Sequence, residues 1–148
     1  MKKTLFGLLF LGSLLMAKVT NLPVTVDFVE SNKMKIIDIR TEGEWKQMGT
    51  IKGAHLITFF DEKASYNIKK FLKSLNKVVK KDEQFAIICN SASRTKLVSN
   101  FLGKKLDYDV VNLTGGMEKL VKDGYKVVAY EPNKAEKKVE VQDRNATK

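Results

Sequence analysis

Cysteine and histidine are nearly absent from this chain of 148 residues, which holds one of each. A lone Cys89 can neither close an intramolecular disulfide nor join a multi-cysteine metal site, so no metal and no cofactor is expected. His55 invites a role as general base, but nothing in the sequence brings its ring to the sulfur, and it reads as a structural residue. A membrane-spanning run is also missing. Leu5 to Met16 is apolar but shorter than the roughly 20 residues a span needs. With Met1-Lys2-Lys3 before it and Ala17 at its end, it reads as an export signal over residues 1–17, cut after Ala17, with retention of the uncut segment as an anchor the alternative. No cysteine follows the run, which excludes a lipoprotein anchor, so the expectation is a periplasmic protein without stable membrane insertion once the signal is removed. Finally, the chain lacks an aromatic-rich basic stripe. Its formal charge of +10 comes from 27 Lys and Arg against 17 Asp and Glu, with the lysines spread through every predicted helix. That pattern predicts a solvated basic surface that attracts small anions, and no nucleic-acid partner.

What is present is the composition of a soluble globular domain, with 43% hydrophobic and 30% charged residues. The length accommodates one domain with a real core, expected over residues 18–130. From Glu131 to Lys148 apolar periodicity is lost, and this segment is expected to be a mobile charged tail. The tail carries Asn145-Ala146-Thr147, an Asn-x-Thr acceptor pattern with Asp143 two residues before it. Asn145 is therefore a candidate glycosylation site.

Strand and helix patterns alternate along the domain. Lys18 to Leu22 predicts an edge strand, and Pro23 opens a short helical segment with Val24, Phe28 and Val29 on one face. Ile36-Ile37-Asp38-Ile39 has the continuous apolar centre of a strand covered on both faces, and ends at Asp38 and Arg40. Thr41 and Glu44 have capping-box spacing ahead of a brief helix that carries Trp45 inward. His55-Leu56-Ile57 predicts a short strand. The clearest helix starts at Ser65, with Ile68, Phe71, Leu72, Leu75, Val78 and Val79 on one stripe. Phe85 to Ile88 predicts a buried strand. A helix from Lys96 to Leu106 follows, turning Leu97, Val98, Phe101 and Leu102 to the sheet. Tyr108 to Leu113 predicts another strand, Met117 to Lys122 a last helix, and Gly124 its left-handed stop. The fold class is α/β, a mostly parallel sheet of about five strands with helices on both faces.

The chemistry gathers in Cys89-Asn90-Ser91-Ala92-Ser93-Arg94-Thr95, between a buried strand and a helix. Small polar residues let such a loop curl with its N–H groups inward, and the helix adds the positive end of its dipole. A cysteine there is expected to be thiolate-rich, provided that it is not sealed beneath apolar side chains. Arg94 is placed either to hold an anionic donor or to brace the loop through an acidic residue such as Asp38 or Glu44.

Four stretches in order resemble the single-domain rhodanese-like sulfurtransferases: Ile37-Asp38-Ile39-Arg40 with Glu44-Trp45; Gly49 to Ala54; the cysteine loop through Arg94-Thr95; and Leu113-Thr114-Gly115-Gly116 with Gly124-Tyr125. The resemblance implies that Cys89 attacks the sulfane sulfur of thiosulfate or a polysulfide and carries it as a persulfide to a thiol or protein acceptor. It further implies that the N–H groups of Asn90, Ser91, Ala92, Ser93 and Arg94 stabilise the sulfur anion, that Asp38 and Arg40 are structural, and that Thr95 caps the next helix. The partners expected are a small sulfur-containing anion and a sulfur acceptor, and a homodimer is the assembly considered beside a monomer. Two departures stand in the loop: Asn90 where the family often has arginine, and Ala92 where it often has glycine. The first removes one anion-binding charge.

Two rival readings follow from the same loop. Phosphatases and arsenate reductases on this scaffold need a loop one residue longer between cysteine and arginine to seat a tetrahedral anion. The four residues Asn90 to Ser93 suit a single sulfur atom instead. The other rival is a rhodanese-like binding module without catalysis; such modules commonly lose the cysteine, which this chain keeps.

Overall fold

Val19–Pro23 and Val110–Thr114 hold the two ends of the fold together, pairing in parallel from Val19 opposite Val110 to Pro23 opposite Thr114. The computed structural model describes residues 19–31 and 33–132. The proposed signal, Lys18, the tail from residue 133 and Asn145 lie outside the described residues.

The elements run β1 (Val19–Pro23), α1 (Val26–Ser31), β2 (Ile36–Asp38), α2 (Glu42–Met48), β3 (His55–Leu56), α3 (Ile68–Val78), β4 (Phe85–Ile88), α4 (Ser93–Asn100), β5 (Val110–Thr114) and α5 (Gly116–Lys122). The sheet has five strands in the order β1-β5-β4-β2-β3, and every described ladder is parallel. Parallel neighbours cannot be joined by hairpins, so each strand returns through a helix or long loop and both faces become covered.

The inner strands β2, β4 and β5 are buried and mostly apolar for that reason, and their alternate apolar residues divide between two cores. Ile37, Phe85, Ile87 and Val110 face a cluster completed by Phe71, Leu75 and Val79 from α3 and its end and by Val98 and Leu102 from α4 onward. Ile36, Ala86, Ile88, Val111 and Leu113 face a second cluster with Met117 and Leu120 of α5, against which Phe28 and Val29 of α1 pack. Burying each large aliphatic or aromatic side chain contributes about 1.5–3 kcal/mol before chain entropy is charged against it.

Local signals place the boundaries. Asn67 caps α3 by accepting from the Lys70 N–H, so the helix begins three residues after Ser65. α4 begins earlier than the apolar spacing suggests, at Ser93, and passes into a π-helical stretch over Phe101–Lys105. Val98 and Leu102 are buried, whereas Leu97 is 65% exposed and does not face the sheet. Thr95 accordingly sits inside the first turn, and its hydroxyl donates to the Ala92 carbonyl at 3.1 Å instead of capping the helix. The closing segment returns across the fold, where Thr50 and Val128 form an antiparallel bridge and the Tyr130 ring meets Trp45.

Candidate active site

All strands point the same way, so the carboxyl ends of β2, β4 and β5 gather at one edge of the sheet, where open α/β folds build their sites. Cys89 follows β4 there. Its position is fixed from below by α5, whose first N–H groups are spent on the loop: Met117 donates to the Cys89 carbonyl at 2.9 Å and Glu118 to the Asn90 carbonyl at 3.0 Å. Gly116 permits this approach, because a Cβ on it would stand 2.6 Å from the Cys89 carbonyl oxygen.

The loop curls at Ala92, which takes the left-handed conformation at φ 71° directly ahead of α4. No side chain caps the helix at this position. Ser91 and Ser93 lie on the exposed side with their hydroxyls 3.3 Å apart. Asn90 turns the other way, donating from Nδ2 to Glu118 Oε1 at 2.6 Å.

Cys89 is fully buried, within the cluster that contains Ile39, Phe59 and Val98. Its other neighbours are polar. Sγ lies 3.7 Å from Thr95 Oγ1, and the Arg94 guanidinium is close enough for the sulfur to help stabilise its charge. A substrate reaches this sulfur only after the loop or the Arg94 side chain moves aside.

Arg94 is committed to Glu44. Nη1 and Nη2 donate to the two carboxylate oxygens at 2.7 and 2.5 Å, the bidentate geometry that a planar guanidinium favours. Of the two acidic partners open to Arg94 from sequence, the structure selects Glu44. Asp38 is taken by Arg40, which donates from Nη2 at 2.7 Å with both side chains fully buried, and Arg40 also reaches the Gly49 carbonyl at 2.7 Å. Asp38 and Arg40 thus tie β2 to the turn after α2, a structural task.

Glu44 serves a second purpose as the capping-box partner of Thr41, accepting from its N–H at 3.0 Å. Burial raises the cost of ionising Glu44, but the hydrogen bonds from Arg94 and Thr41 and the Arg94 charge together outweigh it and hold its pKa below the usual carboxylate value. The same contact, reinforced by the charge of Cys89, pushes the Arg94 pKa above its ordinary value despite partial burial.

Two hollows flank this edge. The larger, about 570 Å³, runs beside β3 and α3 past Trp45, Phe59 and Tyr66, and the cysteine loop does not line it. The smaller, about 400 Å³, lies against the loop between Asn90 and the α2 residues Glu44, Gln47 and Met48, with Arg40 at its base. His55 is remote from both roles: it pairs beside Ile37 on edge strand β3, with β2 between it and β4. Partial burial and the Lys35 charge lower its pKa, which disfavours the imidazolium.

A five-stranded parallel sheet with helices on both faces and a cysteine loop between central strand and helix defines an α/β protein whose one cysteine sits at the carboxyl edge of its sheet. Residues 25–123 match the family model described as the rhodanese-like domain, and the chain belongs to that family. Among solved structures, a rhodanese-like domain protein from Staphylococcus aureus is 26% identical, covering 76% of this chain and 99% of its own, with a TM-score of 0.53. A rhodanese-related protein from Thermoplasma volcanium is 23% identical, covering 73% and 98%, also at 0.53. The Alr3790 protein from Anabaena shares only the fold, at 13% identity, with 77% and 98% covered and a TM-score of 0.56. Comparison with curated proteins finds no match.

Proposed function

We propose that this protein is a sulfurtransferase that moves sulfane sulfur through a persulfide on Cys89. What carries the reading is the position of Cys89: it ends the central strand β4, with Arg94 and Thr95 against its sulfur, inside a rhodanese-like domain. The Cys89 thiolate attacks the outer sulfur of the donor, an S–S bond forms to Sγ, and the donor's own S–S bond breaks with the electron pair leaving on the remainder. Thiosulfate leaves as sulfite, and a polysulfide leaves one sulfur shorter. An acceptor nucleophile then takes the outer sulfur and returns Cys89 as thiolate.

The chain's own residues prepare this exchange. N–H groups of Asn90, Ser91, Ala92, Ser93 and Arg94 line the curl in which the sulfur anion is stabilised, and the start of α4 adds its dipole. Arg94 holds the loop to α2 through Glu44 and lends its charge to the sulfur. The loop or the Arg94 side chain moves aside to admit the donor to the buried sulfur.

Export after removal of residues 1–17 places this activity in the periplasm, with glycosylation of Asn145 in a mobile tail of residues 131–148 as an accompanying modification. Handing polysulfide sulfur to a respiratory or detoxifying enzyme is the corresponding physiological role, with a homodimer as the assembly proposed beside a monomer.

Intact mass before and after incubation with thiosulfate, polysulfide or an organic persulfide tests the reading. The expected result is a gain of one sulfur atom, reversed by cyanide and absent in Cys89→Ser. The complete burial of Cys89 favours one second reading, a binding module without turnover. An unchanged wild-type mass with every donor would establish that second reading over the first.

A further inference from the structure

A donor entering beside Asn90 meets charges that are already spoken for. Arg94, the cation of the loop itself, gives both of its terminal nitrogens to Glu44. Arg40, the cation that lines the adjoining hollow, is fully buried and paired with Asp38. Lys119 of α5 is paired with Asp123, and Lys96 stands exposed on α4, outside the lining of the hollow. Glu118 does not line the hollow either, but it is exposed and joined to Asn90, which does: one of its carboxylate oxygens accepts from Asn90 Nδ2 at 2.6 Å.

The hydrogen bond directs Asn90, the residue next to Cys89, toward an anion. A dianion seated beside Asn90 would add its charge to that of the Glu118 carboxylate bonded to the same residue, and among the described residues both guanidinium groups are already paired. The basic surface attracts every anion alike, and at physiological salt its field is screened beyond about 8 Å, so discrimination falls to the groups at the mouth.

We propose that the preferred sulfur donor of Cys89 is a persulfide on an uncharged organic carrier, R–S–SH, and that Glu118, held on Asn90, is the specificity residue that disfavours dianionic donors such as thiosulfate. This rests on the sulfurtransferase reading and ranks its donors. The hollow of about 400 Å³ beside Gln47 and Met48 receives the carrier group R, which needs no charge to pack against the Met48 thioether. In the reaction, the Cys89 thiolate attacks the terminal sulfur of R–S–SH. The new S–S bond forms to Sγ, the old one breaks, and the electron pair leaves on R–S⁻, with the proton retained on the new persulfide or released to solvent according to pH.

Persulfides of 2-mercaptoethanol and of mercaptosuccinate present the same reacting sulfur on carriers of zero and two negative charges, and thiosulfate supplies the inorganic dianion. Initial rates of sulfur gain on the full chain are read by intact mass, with Cys89→Ser as the blank. The mercaptoethanol persulfide is expected to load the wild type about tenfold faster than the mercaptosuccinate persulfide. Glu118→Gln should shrink that ratio severalfold, and Asn90→Arg should shrink it further and raise loading from thiosulfate. A mere loss of loop order would slow all donors together and leave the ratio unchanged. Equal wild-type rates for the two carriers, or a ratio that both variants leave intact, would overturn the specificity assignment while leaving sulfur transfer standing. Failure of every donor to load the wild type would remove sulfur transfer itself, and the ranking with it.

Discussion

Gly116 lies directly beneath Cys89: a Cβ added to it would stand 2.6 Å from the Cys89 carbonyl oxygen. The start of α5 and the cysteine loop are in backbone contact there, joined by the bonds from Met117 and Glu118. Glycine is required twice over, for the space and for its φ of +63°. Gly116→Ala is therefore expected to lose about 2–3 kcal/mol, read as a lower urea midpoint, because backbone cannot yield as a flexible side chain does. Sulfur loading on Cys89 should fall at the same time. A variant as stable as the wild type would mean that α5 can slide away from the loop.

The pairing of Arg94 with Glu44 joins two segments across the mouth of the site. Their side chains are 24% and 29% exposed, so solvent weakens the pair, and a double-mutant cycle with alanine at both positions should give a coupling of about 1 kcal/mol. The Arg94 charge also interacts with the sulfur, which Glu44 does not need to do in order to brace the loop. Arg94→Ala is thus expected to slow donor use by about tenfold or more while costing little thermal stability. The reverse ranking, a large drop in melting temperature with near-normal loading, would make Arg94 a brace alone.

Acid should expose the same pair. The folded chain binds a proton at Glu44 less readily than the unfolded chain does, because the folded pKa is lowered. The stability this gives is complete above about pH 4.5, the ordinary value, and drains away as pH falls toward and through the folded value. Urea midpoints measured from about pH 6 down to pH 3 should fall less steeply in Glu44→Gln than in the wild type, from a lower starting level. Parallel curves would show that Glu44 is not a source of the acid sensitivity.

Arg40 supports the site without entering it. Removing its charge leaves the Asp38 carboxylate fully buried beside an empty volume. Arg40→Leu is expected to lose about 3–5 kcal/mol, enough to unfold a marginal domain at physiological temperature. Replacing the pair together, Asp38→Leu with Arg40→Leu, should recover part of the loss. If the single variant costs no more than the double, the two side chains are not compensating each other.

Much of this site is legible along the chain because its determinants are local. Thr41 and Glu44 are three residues apart, and the helix geometry that makes them a capping box is dictated by that spacing. Continuous apolar runs around Ile36-Ile37 and over Phe85–Ile88, short and bounded, read as strands covered on both faces, and the second locates Cys89 just past its end. What the chain order withholds are partners chosen by assembly. Arg94 pairs with Glu44 because Asp38 is already consumed by Arg40, and Asn90 meets Glu118 because α5 starts beneath the loop. The apolar spacing offers Leu97 and Val98 alike to the sheet, but neighbouring helical residues point about 100° apart, and the structure buries Val98 with Leu102, four apart, leaving Leu97 exposed. The burial of Cys89 comes with its place in the cluster of Ile39, Phe59 and Val98, side chains from distant parts of the chain that no spacing in the sequence brings together.

Ala92 turns that burial into a measurable quantity. At φ 71° an alanine is held in a conformation that disfavours its Cβ by about 1 kcal/mol, and glycine would take it without strain. Glycine also gains freedom in the unfolded chain, which returns some of the advantage, so Ala92→Gly should stabilise the domain by only about 0.5 kcal/mol. Its effect on access points the other way. If loop opening is what uncovers the buried sulfur, a glycine at the curl widens the range of open conformations while leaving the Arg94 and Thr95 contacts available. Ala92→Gly should therefore raise the rate of Cys89 alkylation by iodoacetamide, and the rate of sulfur gain, by a similar factor. If stability rises while both rates stay fixed, the Ala92 curl is not the element whose motion admits the donor, and the Arg94 side chain must be the part that moves.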